Sequence, residues 1–213
     1  MRVLSLFKCP QQSFFSQSGV QHGRLIVYNE IMNFVLPGKF VVPEIVATHF
    51  HLREGDSVAD FGAGSGYYLK VLTNGVGPTG KVYACEIQKP LVEKLGEFAR
   101  SQGFSNVMPL WCDLEELGGI NIPDNTLDVG LLINTLFQFE LKNIALQEIR
   151  RVIKPGGVLH VIDWTESFGG LGPQPAQVLT MQAAIDLLET EHFAFEREYP
   201  AGDHHYGIAV RKI

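Results

Sequence analysis

Apolar and polar positions follow two rhythms along this chain. Short, nearly continuous apolar runs lie near 57–61, 81–85, 107–111, 128–133 and 157–163. Between them are longer stretches in which apolar side chains recur every three or four positions. Leu91, Val92, Leu95, Phe98 and Ala99 form one stripe, and Leu141, Ile144, Ala145, Ile149 and Val152 form a second. Val178, Met181, Ile185 and Leu188 form a third. The runs predict strands buried on both faces, and the stripes predict helices over 89–100, 141–152 and 178–188 with one face on a core. Shorter helices are expected over 43–51 and from Tyr67 to Leu72. Strand and helix in alternation predict a parallel sheet with right-handed crossovers. The last two runs, near 193–199 and 205–211, have no helix between them and predict an antiparallel pair. Upstream, 9–23 is rich in Gln, Ser and Gly and predicts a loose arm. Leu25, Ile26, Tyr28, Ile31, Met32 and Val35 predict a short helix over 24–36, closed by Pro37-Gly38. Residues 1–40 are thus expected to be an arm with a short helix, and 41–213 a single domain.

The first strand ends in Asp60 and runs into Gly62, Gly64 and Gly66. Glycine at every second position lets a turn bend sharply and a ligand lie against backbone. The helix that follows should aim free N–H groups at the same place. The dinucleotide fingerprint is G-x-G-x-x-G, and Tyr67 stands where its last glycine would be. The loop therefore argues for a nucleotide-like cofactor and against NAD. The second strand also ends in an acid, Glu86, where a ribose diol is held in such folds. Glu86 alternatively caps the next helix, which opens at Lys89-Pro90.

On these residues the chain resembles the class I S-adenosylmethionine-dependent methyltransferases. Asp60-x-Gly62-x-Gly64-x-Gly66 matches that family's first motif, and Glu86 its second-strand acid. Asp113, in Leu110-Trp111-Cys112-Asp113-Leu114, matches the acid that reads the adenine amino group. Leu127 to Asn134 matches the fourth-strand motif, and Arg151 to Leu159 the run before strand five. The resemblance covers residues 40–213 and is strongest to the ubiquinone/menaquinone C-methyltransferase and arsenite methyltransferase type of small-molecule enzyme. It implies S-adenosylmethionine as cofactor, with contacts from Ile87, Leu114 and Asn134 besides the residues above. It also implies a three-layer Rossmann-like α/β sandwich. The sheet would have seven mostly parallel strands in the order 3-2-1-4-5-7-6, with the last strand antiparallel.

Composition narrows the partners. The chain has 213 residues, 46% hydrophobic and 19% charged, enough for one sizeable core. Its net charge is −6, and no Lys/Arg cluster exceeds two adjacent residues, which counts against nucleic acid. Cys9, Cys85 and Cys112 are scattered and have no metal spacing, so no metal, thiol cluster or oxidising compartment is expected. No stretch approaches the length of a membrane span. The expectation is a cytoplasmic small-molecule enzyme, monomeric or homodimeric. RNA or protein as the acceptor, or cofactor binding without turnover, are the alternatives.

Ligands in such sheets sit beyond the carboxyl ends of the strands. Strand five ends in Asp163-Trp164, and the last strand begins near His205-Tyr206. The sheet order that the resemblance implies brings these together, with Asp163 and His205 as candidate catalytic groups. Phe137, Trp164, Tyr206 and Tyr28 are candidate substrate contacts; Phe137 and Phe139 serve equally well as core. His204 and His205 are neighbours in sequence and should face apart, so they do not make a metal pair. His160 reads as a satisfied buried side chain. Thr165 to Pro175, with three glycines and two prolines, is a lid candidate or a plain connector.

Overall fold

The computed structural model describes residues 41–168 and 172–213. The expected arm at 9–23 and helix at 24–36, with Tyr28 and Met32, lie outside these residues.

Seven strands make one sheet: β1 (Ser57–Phe61), β2 (Lys81–Glu86), β3 (Val107–Trp111), β4 (Leu127–Ile133), β5 (Ile153–Trp164), β6 (Phe193–Pro200) and β7 (His205–Lys212). Their order is β3-β2-β1-β4-β5-β7-β6. Only β7 runs against its neighbours, pairing antiparallel with both β5 and β6. The expected order and direction are therefore found. Parallel strands buried on both faces need apolar side chains on both, which is why β1, β2 and β4 read as continuous runs.

Two cores flank the sheet. On one face Val58, Val82, Ala84, Leu131 and Ile162 meet Leu69, Leu72 and Val76 of α2 (Leu69–Val76) and Leu95 of α3 (Lys89–Gln102). On the other face Ala59, Phe61, Leu132, Val161 and Ile208 meet Ala145 and Ile149 of α4 (Lys142–Val152) and Ala184 and Leu188 of α5 (Met181–Thr190). Each of the three apolar stripes thus lays part of itself on a core, while Phe98 and Leu141 stay exposed and Val178 precedes α5.

Some boundaries differ from the sequence expectation. The helix expected over 43–51 is one α turn, α1 (Pro43–Val46), followed by a 3-10 turn at Ala47–His49. Tertiary bonds hold this segment instead. Arg197 Nη2 donates to the His49 carbonyl at 2.8 Å, and His51 is left-handed at φ 51°. Buried His160 of β5 shares a 3.1 Å hydrogen bond with the Tyr199 hydroxyl, so it is satisfied as expected. Strand β5 starts four residues early, because Gly156 at φ 77° lets Lys154 to Gly157 stay in the strand across an irregularity in its pairing with β4.

Candidate cofactor and acceptor site

The ends of β1, β2 and β4 bring Asp60, Glu86 and Asn134 to one edge of the sheet. Asp60 is 2% exposed, and its Oδ2 finds no hydrogen-bond partner among the described residues. Burial, and then the nearby charge of Glu86, push its carboxyl up to about 7. Buried Glu86 accepts from the Gly64 amide at 3.0 Å through Oε2 and from the Gln88 amide at 2.8 Å through Oε1. It therefore fixes the glycine loop to β2 while keeping acceptor capacity for a ligand hydroxyl.

The three glycines do three different jobs. A Cβ on Gly62 would lie 2.7 Å from Thr135 Oγ1, so Thr135 fills the space left by the missing side chain. A Cβ on Gly66 would lie 2.9 Å from Leu95 Cδ2 and 3.0 Å from Leu69 Cδ1, so Gly66 allows close helix packing. Gly64 meets nothing nearer than the Gly62 carbonyl at 3.9 Å and adopts φ 54°. Gly64 is the glycine with open space above it. Tyr67, in the fingerprint's last-glycine position, is 57% exposed and blocks nothing, because Gly66 has taken that packing role.

Part of the expected fan of free amides at a helix start is spent within this loop. Gly62 N and Ala63 N both donate to the Cys85 carbonyl at 2.9 Å, Gly66 N donates to Ala63 O at 2.8 Å, and Leu69 N donates to Gly66 O at 3.1 Å. The buried orphan oxygen of Asp60, the open face of Gly64 and the shared acid Glu86 suit a ligand with a cationic group and a diol.

Asp113 sits just beyond β3, and its Oδ1 accepts from the Glu115 amide at 3.0 Å. Leu114 is packed in the core, whereas Ile87 is exposed and its carbonyl accepts from Trp111 Nε1 at 2.8 Å. Asn134 is left-handed at φ 54°, and its buried Oδ1 has no partner among the described residues. An Asn held in that conformation with an idle carboxamide oxygen is a candidate functional position. Sequence reading missed three supports: Thr135 beside Gly62, Trp111 behind Ile87, and Tyr68. Burial, and then the charge of Asp60, push the Tyr68 hydroxyl above its ordinary range. Thr135 directly follows Asn134 at a strand end, the one sequence signal that pointed to any of them.

The ends of β5 and β7 meet as expected, with Trp164 opposite His205 and Asp163 opposite Tyr206. That register corrects the expected acid–imidazole pair. Facing residues share a side of the sheet and successive ones alternate, so Asp163 goes with Tyr206 and His205 goes with Trp164 on the other face. Asp163 is 1% exposed and accepts from the Phe137 amide at 3.0 Å and the Trp164 amide at 2.9 Å. It anchors the turn at Leu136–Gln138, and burial pushes its carboxyl up to about 6 despite those two bonds. His205 is 6% exposed, and its ring lies 4.3 Å from Trp164. Both its ring nitrogens are buried without a partner among the described residues, and burial pushes its pKa down to about 4. It is therefore neutral near pH 7, with one N–H donor and one acceptor idle. The buried Tyr206 hydroxyl is idle too, while Phe137 is buried in the middle of the 3-10 turn.

The segment after Trp164 is clasped at both described ends. A Cβ on Gly172 would fall 2.6 Å from the Trp164 indole, so the Gly172 backbone lies directly against that ring. Phe168 stacks on His204 at 3.9 Å, and His204 pairs with Glu166 at 2.8 Å.

Residues 52–196 match a protein family described as a methyltransferase domain. Two ubiquinone/menaquinone biosynthesis C-methyltransferases are similar in sequence. The protein from Cupriavidus metallidurans is 29% identical over 151 residues, 70% of this chain and 60% of that one. Its counterpart in Burkholderia multivorans is 34% identical over 117 residues, 54% of this chain and 46% of that one. The chain thus spans about half the length of the curated relatives it matches. The crystal structure of a SAM-dependent methyltransferase from Aquifex aeolicus matches with a TM-score of 0.75 at 32% identity, covering 82% of this chain and 91% of that one.

Proposed function

The chain belongs to the S-adenosylmethionine-dependent methyltransferases, and from that premise we propose that it methylates a small, uncharged acceptor held beside the ends of β4, β5 and β7. Bound S-adenosylmethionine supplies a methyl group already activated by the sulfonium charge. What remains for the protein is alignment and exclusion of water.

In this reading residues 41–213 are the methyltransferase domain. Glu86 accepts from the ribose hydroxyls, and Asp113 from the adenine amino group. Exposed Ile87 lies along the adenosine, and core-packed Leu114 contributes through its main chain. Asp60 pairs with the cationic amino group, Gly64 gives the cofactor open backbone, and Asn134 offers its idle Oδ1 beside them. Gly62 and Gly66 hold the loop's shape from behind. The observation that carries this is Asp60, a buried carboxylate oxygen left without a partner beside an open glycine. An orphaned buried acceptor costs about 1–3 kcal/mol, and a cationic ligand removes that cost.

On the acceptor side Trp164 and Phe137 supply apolar wall, while Tyr206 lies with Asp163 on the other face of the sheet, in the core. Neutral His205 can hold a hydroxyl by donating and accepting at once, and can take its proton if oxygen is methylated. Asp163 is a positioning residue that holds Phe137 through its amide. The relatives act in ubiquinone and menaquinone biosynthesis and methylate carbon, so a precursor of that kind is the first acceptor to try. The net charge of −6 works against RNA. No helix among the described residues is long and apolar enough to cross a membrane, and we place the activity in the cytoplasm.

The test supplies labelled S-adenosylmethionine with hydroxylated aromatic acceptors, and separately with RNA and protein. Label should enter the small molecule, and His205→Ala should lower turnover at least tenfold while leaving affinity for S-adenosylhomocysteine within about twofold. Label only in RNA or protein would overturn the acceptor class. Binding without transfer to any of them would identify a cofactor-binding protein that does not turn over.

A further inference from the structure

We infer that Gln138 is a positioning residue of the cofactor site, holding Asn134 in the left-handed conformation that aims its carboxamide at the ligand. This rests on the proposed cofactor role of Asn134. Residues other than glycine seldom adopt φ 54°, and they keep such a conformation only where their surroundings fix it. Here the peptide groups on both sides of Asn134 are tied. On one side the Asn134 amide donates to the Ile162 carbonyl of β5 at 2.8 Å. On the other the Asn134 carbonyl accepts from Gln138 Nε2 at 2.7 Å. Together the two bonds set φ and ψ of the one residue between them.

The first bond joins backbone to backbone and asks nothing of any side chain. The second depends on what stands at 138. Gln138 comes back over Asn134 because Leu136–Gln138 is a 3-10 turn, closed by the Gln138 amide on the Thr135 carbonyl at 3.0 Å. That turn is itself tied to β5, since the Phe137 amide donates to Asp163 Oδ2 at 3.0 Å. Thr135 Oγ1 donates to the Ile133 carbonyl at 2.9 Å, so three successive carbonyls at the end of β4 are occupied. Gln138 is otherwise exposed, so its side chain serves no core.

Without the Gln138 bond, Asn134 is free to relax toward negative φ. Its buried Oδ1, idle among the described residues, then turns away from the place it now occupies. A ligand that needs that oxygen binds only the fraction of molecules still left-handed at 134, and its apparent affinity falls by that fraction. Asn134→Gly removes both sides of this coupling, because glycine adopts positive φ freely and has no carboxamide to aim.

The experiment measures affinity of the full chain for S-adenosylhomocysteine in a double-mutant cycle of Gln138→Ala and Asn134→Gly. Gln138→Ala should bind about threefold to tenfold more weakly, the range that loss of one neutral hydrogen bond covers. Asn134→Gly should also bind weakly, and adding Gln138→Ala to it should change affinity by less than about twofold. Gln138→Glu supplies a readout that packing cannot mimic, because its ionised carboxylate has the same length but no proton to donate. It should bind as weakly as Gln138→Ala at pH 8. Its affinity relative to the native protein at the same pH should recover as pH falls toward 5 and the carboxyl gains a proton. Unchanged binding by Gln138→Ala, additive losses in the cycle, or a Gln138→Glu profile parallel to the native one would overturn the proposal. The NMR coupling across the Asn134 N–Cα bond reads φ with no ligand present and should shift in Gln138→Ala; an unshifted coupling would also overturn it. Native protein that fails to bind the probe, with that coupling shifted, would instead strike at the proposed cofactor role of Asn134.

Discussion

Asp60 carries a sharp expectation about pH. Its folded-state pKa lies at about 7, above the ordinary 3.8, so the folded protein holds a proton there that the unfolded chain has released. The stability that Asp60 contributes is therefore fully present below about 3.8 and is lost as pH rises through about 7. Asp60→Asn cannot ionise and should escape that loss. Its stability relative to the native protein should climb between pH 4 and 7, by at most about 1.4 kcal/mol per pH unit for one proton. Affinity for S-adenosylhomocysteine should move the other way. In the native protein it rises from pH 6 to 8 as the carboxylate forms, and in Asp60→Asn it should be weak and nearly flat. Denaturant melts and titrations at four pH values check both; parallel pH profiles for the two proteins would remove Asp60 from the site. This residue was legible in the sequence because it ends an apolar run beside glycines. Its idle oxygen was not, because that depends on which neighbours fail to reach it. The parts played by Thr135 and Trp111 were not legible for a related reason: each acts through a backbone or side-chain contact that only the folded chain creates.

At the scale of elements, the glycine loop separates cofactor contact from packing. Gly64 and Gly66 are both left-handed, at φ 54° and 84°, so an alanine at either is strained by roughly 1–2 kcal/mol. Only at Gly66 does the added Cβ also press on Leu95 and Leu69. Overpacking of that kind costs roughly 1–3 kcal/mol more. Gly66→Ala should therefore melt several degrees below Gly64→Ala, given about 2–4 °C per kcal/mol for a domain of this size. Gly64→Ala should lose more cofactor affinity than its stability accounts for, and Gly64→Val more still. Equal affinity in native protein and Gly64→Val would show that the loop does not touch the ligand. The strands and the three longer helices were readable from apolar rhythm because each buries a face. Pairing register was not, and it decides one matter here. It turns His205 away from Asp163 and toward Trp164. A one-residue change in register would reverse that. The short helix before β1 was misread because tertiary bonds from Arg197, more than local propensity, shape that segment.

Across the whole molecule, one antiparallel strand is what assembles the proposed acceptor side. Because β7 inserts between β5 and β6, its start lies beside the end of β5, and residues about 40 apart in sequence close one edge of the site. Acids at the ends of successive strands made the cofactor half legible, since each stands alone beside its own motif. The proposed acceptor half consists of aromatic and neutral groups that look like core in a sequence, and only their idle polar atoms mark them out. The central claim is that this edge holds S-adenosylmethionine and not NAD. Calorimetric titration of the full chain with S-adenosylhomocysteine and with NAD tests it most directly, repeated with Glu86→Ala. The ribose hydrogen bonds to a charged group are worth roughly 1.5–3 kcal/mol each. S-adenosylhomocysteine should bind the native protein, NAD should give no heat, and Glu86→Ala should weaken binding at least tenfold with the protein still folded. Binding of NAD without the sulfur ligand, or an unchanged affinity in Glu86→Ala, would contradict the account.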